Sequence, residues 1–127
     1  MLREDPSKLA SLAELHAERC LSAAFRAAHP EATAEVGAWV NIVEPRVFSE
    51  EIAGFAEMPS LLDDISRMDA RFYLRVGALD TTAPPAWSHE IARRAKHAVV
   101  DVIDGCGHAL FVEDALATEA ALERALA

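Results

Sequence analysis

The sequence predicts an α/β protein, with a helical region over residues 1–68 followed by a βαβα unit over residues 69–127. Two observations support this division. Apolar residues before residue 69 recur with the spacing of amphipathic helices, whereas 71–77 and 98–103 have strand patterns on either side of a helix. The order strand–helix–strand–helix favours two parallel strands joined by a right-handed crossover.

Four helices are expected before residue 69, and proline and capping residues mark their ends. Asp5 suits the N-cap of the first helix, because Pro6 follows it at the first helical position. That helix ends before Pro30, since proline disfavours helical geometry in the residue before it. The second helix starts at Pro30 and ends at the segment 44–46, EPR. The expected N-caps of the other two helices are Ser49 and Ser60.

Strands and helices alternate in the C-terminal region. The segment 71–77 alternates apolar and polar residues, which is the period of a strand. A helix is expected over 85–97, and the apolar segment 98–103 is the second strand. The terminal helix is expected from about Glu113, with Leu116, Leu122 and Leu126 on one side. The residues predicted for the buried face of the helix at 85–97 are Trp87, Ile91 and Ala95.

Composition and charge narrow the partners and cofactors that are expected. The net charge of −9 disfavours binding to nucleic acid or to anionic membrane surfaces. No run of 18 apolar residues and no signal-peptide pattern is present, so we expect no membrane span and a cytoplasmic location. Two cysteines, Cys20 and Cys106, do not suggest a disulfide framework. Metal-binding spacings such as H-E-x-x-H are absent from the sequence, and we expect neither a metal nor a cofactor.

Asp80 and His108 occupy corresponding places in the predicted βαβα unit. Each follows one of the two strands, and the residues are 28 positions apart. Functional residues gather at the carboxyl ends of parallel strands, and neighbouring strands are only about 4.8 Å apart. The two side chains can therefore meet, with the aspartate fixing the histidine tautomer and leaving the other ring nitrogen free to act as a base.

The C-terminal segment YLRVGALDTTAPPAWSHEIARRAKHAVVDVIDGCGHALFVEDALATEAALERAL resembles the C-terminal section of an α/β-hydrolase. The residues that carry the resemblance are Gly77, Asp80, Gly105, Gly107 and His108. It covers residues 60–127 well and 5–59 loosely. The upstream segment AERCLSAAFRAAHPEA is similar to the cap helices of the 3-oxoadipate enol-lactonase branch.

The resemblance implies hydrolysis of a small-molecule ester or lactone by a Ser-His-Asp mechanism. In that mechanism Asp80 is the acid and His108 the base. Trp39 and Phe48, in the cap-like helices, are expected to line a substrate pocket.

The nucleophile of the resembling family is missing from this sequence. None of the seven serines has glycine at both −2 and +2, as the motif G-x-S-x-G requires, and no H-G-G oxyanion loop is present. The resemblance therefore implies a serine supplied by another polypeptide or by an absent N-terminal half, and no activity of this chain alone. The competing hypothesis is a non-catalytic interaction or ligand-binding protein derived from the hydrolase fold.

Purely structural interpretations also exist for the candidate residues. His108 is a polar turn residue in this interpretation, Asp80 caps its own loop, and Trp39 is a core anchor. Cys106 fills a small-residue position in the turn.

Two further expectations concern the strands. Arg75 is expected to pair with Asp101 across them. A two-stranded sheet leaves edges open, so self-association is expected through the edge of the first strand or through cap residues. Those cap residues are Val36, Val40 and Val43.

Overall fold

A computed structural model describes residues 6–42 and 44–126, which contain eight α-helices, one 3₁₀ turn and two strands. The N-terminal elements are α1 (Pro6–Cys20), α2 (Ala23–Ala28), α3 (Pro30–Ala38), the 3₁₀ turn Trp39–Asn41, α4 (Pro45–Glu57) and α5 (Leu62–Ile65). The C-terminal elements are β1 (Arg71–Gly77), α6 (Pro85–Arg94), β2 (His97–Ile103), α7 (Leu110–Glu113) and α8 (Ala115–Leu126). The expected N-cap at Asp5 lies outside the described residues.

The two strands form a parallel sheet, as the sequence predicts. The register begins with Arg71 opposite His97 and ends with Gly77 opposite Ile103. Helix α6 connects the strands and packs against both of them. Because the strands run in parallel and end in register, the loops that follow Gly77 and Ile103 emerge side by side. The fold class predicted from the sequence is confirmed.

The helical region begins with an interruption that the sequence did not predict. The first helix stops at Cys20, and Ser22 starts α2 as its N-cap, with its hydroxyl accepting the Phe25 N–H at 3.2 Å. Helix α4 starts at Pro45 rather than after Ser49, because proline suits the first helical position. The expectation that Ser49 caps this helix is therefore wrong, since position 49 lies inside α4.

The predicted buried face of α6 is only partly confirmed. Trp87 is 62% exposed, so the expectation that it is buried is wrong. The partly buried residues of the segment 85–95 are Pro85, Ser88, Glu90, Ile91, Ala92, Arg94 and Ala95. Ile91 and Ala95 are therefore partly covered, as predicted, and Trp87 lies at the exposed edge of this face. Helix α6 ends at Arg94, and His97 already belongs to β2.

The chain after β2 also forms a helix earlier than predicted. The short helix α7 begins at Leu110, before the expected start at Glu113, and α8 follows it. The three leucines predicted for one side of the terminal helix, Leu116, Leu122 and Leu126, are all exposed.

The main hydrophobic core joins the helical region to the loop after β2. Its buried members are Cys20, Leu21, Val36 and Ala109. Val36 is 1% exposed and belongs to this core. The expectation that it lies on an exposed cap face is therefore wrong. Val40 is partly buried, and Val43 lies outside the described residues. Among the described residues, no helix is both long enough and apolar enough to span a bilayer.

The face of the sheet opposite α6 is only partly covered. Tyr73 and Val99 are cross-strand partners, and both are exposed. On neighbouring strand positions Arg75 donates to Asp101 at 2.6 Å, which confirms the predicted pair, and also to Asp114 at 2.6 Å. This guanidinium links both strands to the junction between α7 and α8.

Candidate active site

Two loops build the candidate site at the carboxyl ends of the strands. The acid loop, residues 78–83, follows β1, and the histidine loop, residues 104–109, follows β2. Backbone hydrogen bonds tie the acid loop to the end of β2 and to the histidine loop, because the Ala78 N–H donates to the Ile103 carbonyl at 2.8 Å and the Leu79 N–H to the Cys106 carbonyl at 2.9 Å. These hydrogen bonds hold the two loops side by side beyond the end of the sheet.

Asp80 contacts both its own loop and His108. Oδ1 accepts the N–H groups of Thr82 and Ala83, each at 2.8 Å, and Oδ2 lies 2.8 Å from His108 Nδ1. The Asp80 side chain is only 5% exposed. The capping contacts of the structural interpretation and the contact with His108 thus coexist, each made by a different carboxylate oxygen.

His108 combines a fixed ring nitrogen with access to solvent. Its side chain is 40% exposed, although its partner Asp80 is buried. A carboxylate accepts hydrogen bonds, so the neutral ring places its proton on Nδ1 and leaves the Nε2 lone pair available to accept another. The structure thus brings the two predicted residues together in the geometry of a base and the group that orients it.

The last turns of α1 border this pair, which the sequence did not indicate. His16 Nε2 lies 3.6 Å from Cys20 Sγ. Burial, and then the proximity of His108, lower the pKa of His16 below its ordinary value. Burial, and then the negative charge of Asp80, raise the pKa of the Cys20 thiol. Both neighbours of the Asp–His pair are therefore biased toward their neutral forms.

Cys106, in the histidine loop, is also biased toward its neutral form, the thiol. Burial, followed by the charges of Glu113 and Asp114, raises the pKa of the Cys106 thiol. A thiol kept protonated is a poor nucleophile. This supports the interpretation that Cys106 fills a small-residue position. Within the described residues, no group of three His, Cys, Asp or Glu side chains is arranged to bind a metal ion.

A further carboxylate, which the sequence did not indicate, is hydrogen-bonded to the histidine loop. Glu113 accepts hydrogen bonds from the N–H of Gly107 at 2.8 Å, the N–H of Ser22 at 2.9 Å and the hydroxyl of Ser22 at 2.6 Å. The sequence signal for Glu113 was its position five residues after His108. That position was instead interpreted as the start of the terminal helix.

The two residues expected to line a substrate pocket lie in different surroundings. Trp39 packs against the main core and stacks on Phe111, with ring centroids 5.7 Å apart and planes inclined by 8°. Phe111 is exposed and follows His108 by three residues, so Trp39 lies beside the segment that carries His108. Position 48 belongs to α4, and the side chain of Phe48 lies outside the described residues.

Several open clefts occur away from the Asp–His pair. One lies between α1 and α3 and is lined mainly by small residues, among them Ala13, Ala17 and Gly37. Another lies over the partly covered face of the sheet, beside Tyr73 and Val99. Neither is lined by Asp80 or His108. We locate the candidate site at the pair because the groups capable of proton transfer are there.

Comparisons with known proteins identify the fold. No protein-family model matches the sequence, and no curated protein matches it. A solved structure of a thermophilic esterase from Thermogutta terrifontis, with malate bound, is similar, with a TM-score of 0.84 and 22% sequence identity. The match covers 98% of this chain and 46% of the esterase chain, so this chain spans about half the length of that protein. This chain therefore has the fold of the matching part of that esterase.

Proposed function

We propose that this chain supplies the acid and the histidine of a Ser-His-Asp hydrolase that cleaves carboxylic esters or lactones. The observation that carries the proposal is the 2.8 Å contact between Asp80 Oδ2 and His108 Nδ1, at the ends of two neighbouring parallel strands. The similarity to an esterase favours an ester as the substrate. A lactone, as in the enol-lactonase branch that the cap-like segment resembles, is an internal ester and undergoes the same chemistry.

His108 acts as the base in this mechanism. Its Nε2 accepts the proton of a serine hydroxyl while the serine oxygen forms a bond to the ester carbonyl carbon. The carbon–oxygen bond to the alcohol then breaks, and the same proton passes from His108 to the leaving alcohol. Water repeats the sequence on the acyl-serine and releases the acid. Asp80 holds the Nδ1–H tautomer and stabilises the positive imidazolium at each stage.

The serine comes from another polypeptide or from an N-terminal half of the fold. Ser22 is close to the histidine loop, but its hydroxyl donates to Glu113 and it lacks the strand-to-helix elbow of the family nucleophile. The match to 46% of the esterase chain is in keeping with this chain forming one part of such an enzyme. Trp39 and Phe48 are proposed to contact the substrate, Trp39 through the aromatic surface that it forms with Phe111.

Reconstitution of activity tests the proposal. The DNA preceding the Met1 codon is translated and searched for strands followed by G-x-S-x-G, and that segment is produced together with this chain. Hydrolysis of a p-nitrophenyl ester and labelling by a fluorophosphonate are measured. We expect neither reaction with this chain alone, because the covalent route needs the serine. Both reactions should occur when the two polypeptides are combined.

Two substitutions and a control assign the residues. Asp80→Asn should lower kcat by about 10⁴-fold, the effect of favouring the wrong histidine tautomer in serine proteases, and His108→Ala should abolish turnover. Asp104→Asn, the same change at an exposed carboxylate of the histidine loop, should leave kcat unchanged. Equal effects of Asp80→Asn and Asp104→Asn would contradict the assigned roles. Two polypeptides that bind each other but remain inactive would favour the competing hypothesis of a non-catalytic binding protein.

A further inference from the structure

We propose that Glu113 is a positioning residue that holds His108 against Asp80 by fixing the backbone of the histidine loop to the junction between α1 and α2. The proposal rests on the proposed function for its catalytic meaning. Its structural part is testable in this chain alone. Among the described contacts, the Glu113 carboxylate touches neither His108 nor Asp80 and acts through the peptide groups beside them.

Hydrogen bonds hold the histidine loop on both sides of His108. The N–H of Gly107, the residue before it, donates to Glu113 Oε1 at 2.8 Å. The N–H of Ala109, the residue after it, donates to the carbonyl of Cys20 at 2.7 Å. Glu113 and the end of α1 therefore define the position of the peptide from which the imidazole extends.

The carboxylate is itself held by a buried anchor. Ser22 is buried, and it donates both its N–H and its hydroxyl to Glu113, at 2.9 and 2.6 Å. Hydrogen bonds to an ionised acceptor are shorter and about twice as strong as neutral ones. The same hydroxyl accepts the Phe25 N–H as the cap of α2. The Glu113 side chain, through Ser22, thus joins the histidine loop to the start of α2.

The space around Gly107 shows how closely these groups approach. A Cβ built at this position would lie 2.9 Å from Glu113 Oε1, 3.0 Å from the Ser22 nitrogen and 3.1 Å from the Cys20 carbonyl oxygen. All three separations are shorter than ordinary contacts of a carbon atom. Glycine at position 107 therefore lets the carboxylate reach the backbone directly, without a side chain between them.

Removing the carboxylate would release this arrangement. In Glu113→Ala the N–H groups of Gly107 and Ser22 lose their acceptor and must turn toward water. The histidine loop then moves, and a displacement of about 1 Å costs on the order of 100-fold in catalysis. Glu113→Gln keeps an oxygen that accepts both N–H groups, so it should rescue the position of the loop.

The matched control is the neighbouring carboxylate. Asp114 accepts a hydrogen bond from Arg75 at 2.6 Å. Its substitution by alanine removes a charged contact of similar length from the same segment without changing the Glu113 contacts. A general loss of stability would affect both variants, whereas loss of positioning would affect Glu113→Ala alone.

The tautomer of His108 is the decisive measurement. Long-range ¹H–¹⁵N correlation spectra of the full ¹⁵N-labelled chain are recorded at about pH 8, where histidine side chains are ordinarily neutral. Wild type, Glu113→Gln and Asp114→Ala should show the proton on Nδ1. Glu113→Ala should lose this tautomer and show a mixture with Nε2–H. If Glu113→Ala does not fold, Glu113→Asp makes the same test, because its shorter side chain cannot reach both Gly107 and Ser22.

Kinetics of the reconstituted enzyme complete the test. Glu113→Ala should lower kcat by about 100-fold with KM nearly unchanged, and Glu113→Gln should restore most of it. An Nδ1–H tautomer that persists in folded Glu113→Ala, or in Glu113→Asp where the alanine variant does not fold, overturns the proposal. So does an equal loss in Asp114→Ala. A reconstituted enzyme that never becomes active overturns the proposed function and leaves the tautomer result intact.

Discussion

Gly77 ends β1 where the strand passes close to the backbone of the histidine loop, and its replacement by alanine tests that approach. A Cβ built at Gly77 would overlap the carbonyl oxygens of Cys106 and Gly107 and would lie 2.7 Å from the carbonyl carbon of Cys106. Carbon atoms pack best at about 3.5 Å or more. The segment 106–107 must therefore retreat by roughly 0.8 Å or more in Gly77→Ala.

The expected loss of stability is large because both obstacles are backbone groups. Extra atoms in a packed site typically cost about 1–3 kcal/mol, and side chains usually absorb part of that by rotating. Here the carbonyl of Cys106 is also held by the Leu79 N–H at 2.9 Å. We expect the free energy of unfolding to fall by about 3 kcal/mol, the upper end of that range.

Urea unfolding followed by far-UV circular dichroism measures this loss, and Gly54→Ala is the control. Gly54 lies in α4, and a Cβ there would meet nothing within 4 Å. Alanine should stabilise that helix position by roughly 0.5–1 kcal/mol, because glycine loses more backbone entropy on folding. The sign of the effect should therefore differ between the two variants. A Gly77→Ala chain as stable as wild type would refute the close approach of strand and loop.

Three further predictions concern assembly, ion pairing and pH. Light scattering should show self-association at low micromolar concentration, because the sheet has open edges and exposed apolar residues; a monodisperse monomer would contradict this. Arg75→Met should lower the free energy of unfolding, measured by urea titration, by about 1–2 kcal/mol. The reason is that the Arg75 side chain is 16% exposed and its loss leaves Asp101 and Asp114 without this partner. An unchanged midpoint would show that the two ion pairs contribute nothing to stability. The lowered pKa of His16 means that the unfolded chain binds its proton more readily, so stability should fall as the pH drops below 6.5. His16→Gln should remove that part of the loss, and an unchanged pH dependence would contradict the role assigned to burial.

The strands and the Asp–His pair could be predicted because local patterns determine them. The alternation of apolar and polar residues over 71–77 predicts β1 with its observed bounds. Arg75 on this strand donates to Asp101, as predicted. Once the strands are parallel, the residues that follow their ends must meet at one edge of the sheet. The contact between Asp80 and His108 therefore follows from the order of the elements.

Other features depend on packing that a local pattern does not contain. Trp87 is a large apolar residue of the kind found in protein cores, but it is 62% exposed, whereas Ile91 of the same predicted face is partly buried. The break between α1 and α2 requires Ser22 to cap a helix and to bind Glu113, which is 91 residues away in the sequence. No periodicity within either segment encodes a contact between the two.

Local and long-range hydrogen bonds together fix the positions of Asp80 and His108. Asp80 is held by two N–H groups of its own loop, and the peptide groups beside His108 are held by Glu113 and Cys20. Groups fixed before the reaction need no reorganisation when charge develops on them. Under the proposed function, a serine that docks beside His108 meets a base whose tautomer and position are already set. Binding energy between the two parts is then needed only to place the serine, and substitutions at Glu113 or Ser22 should weaken catalysis in the pair more than they weaken its assembly.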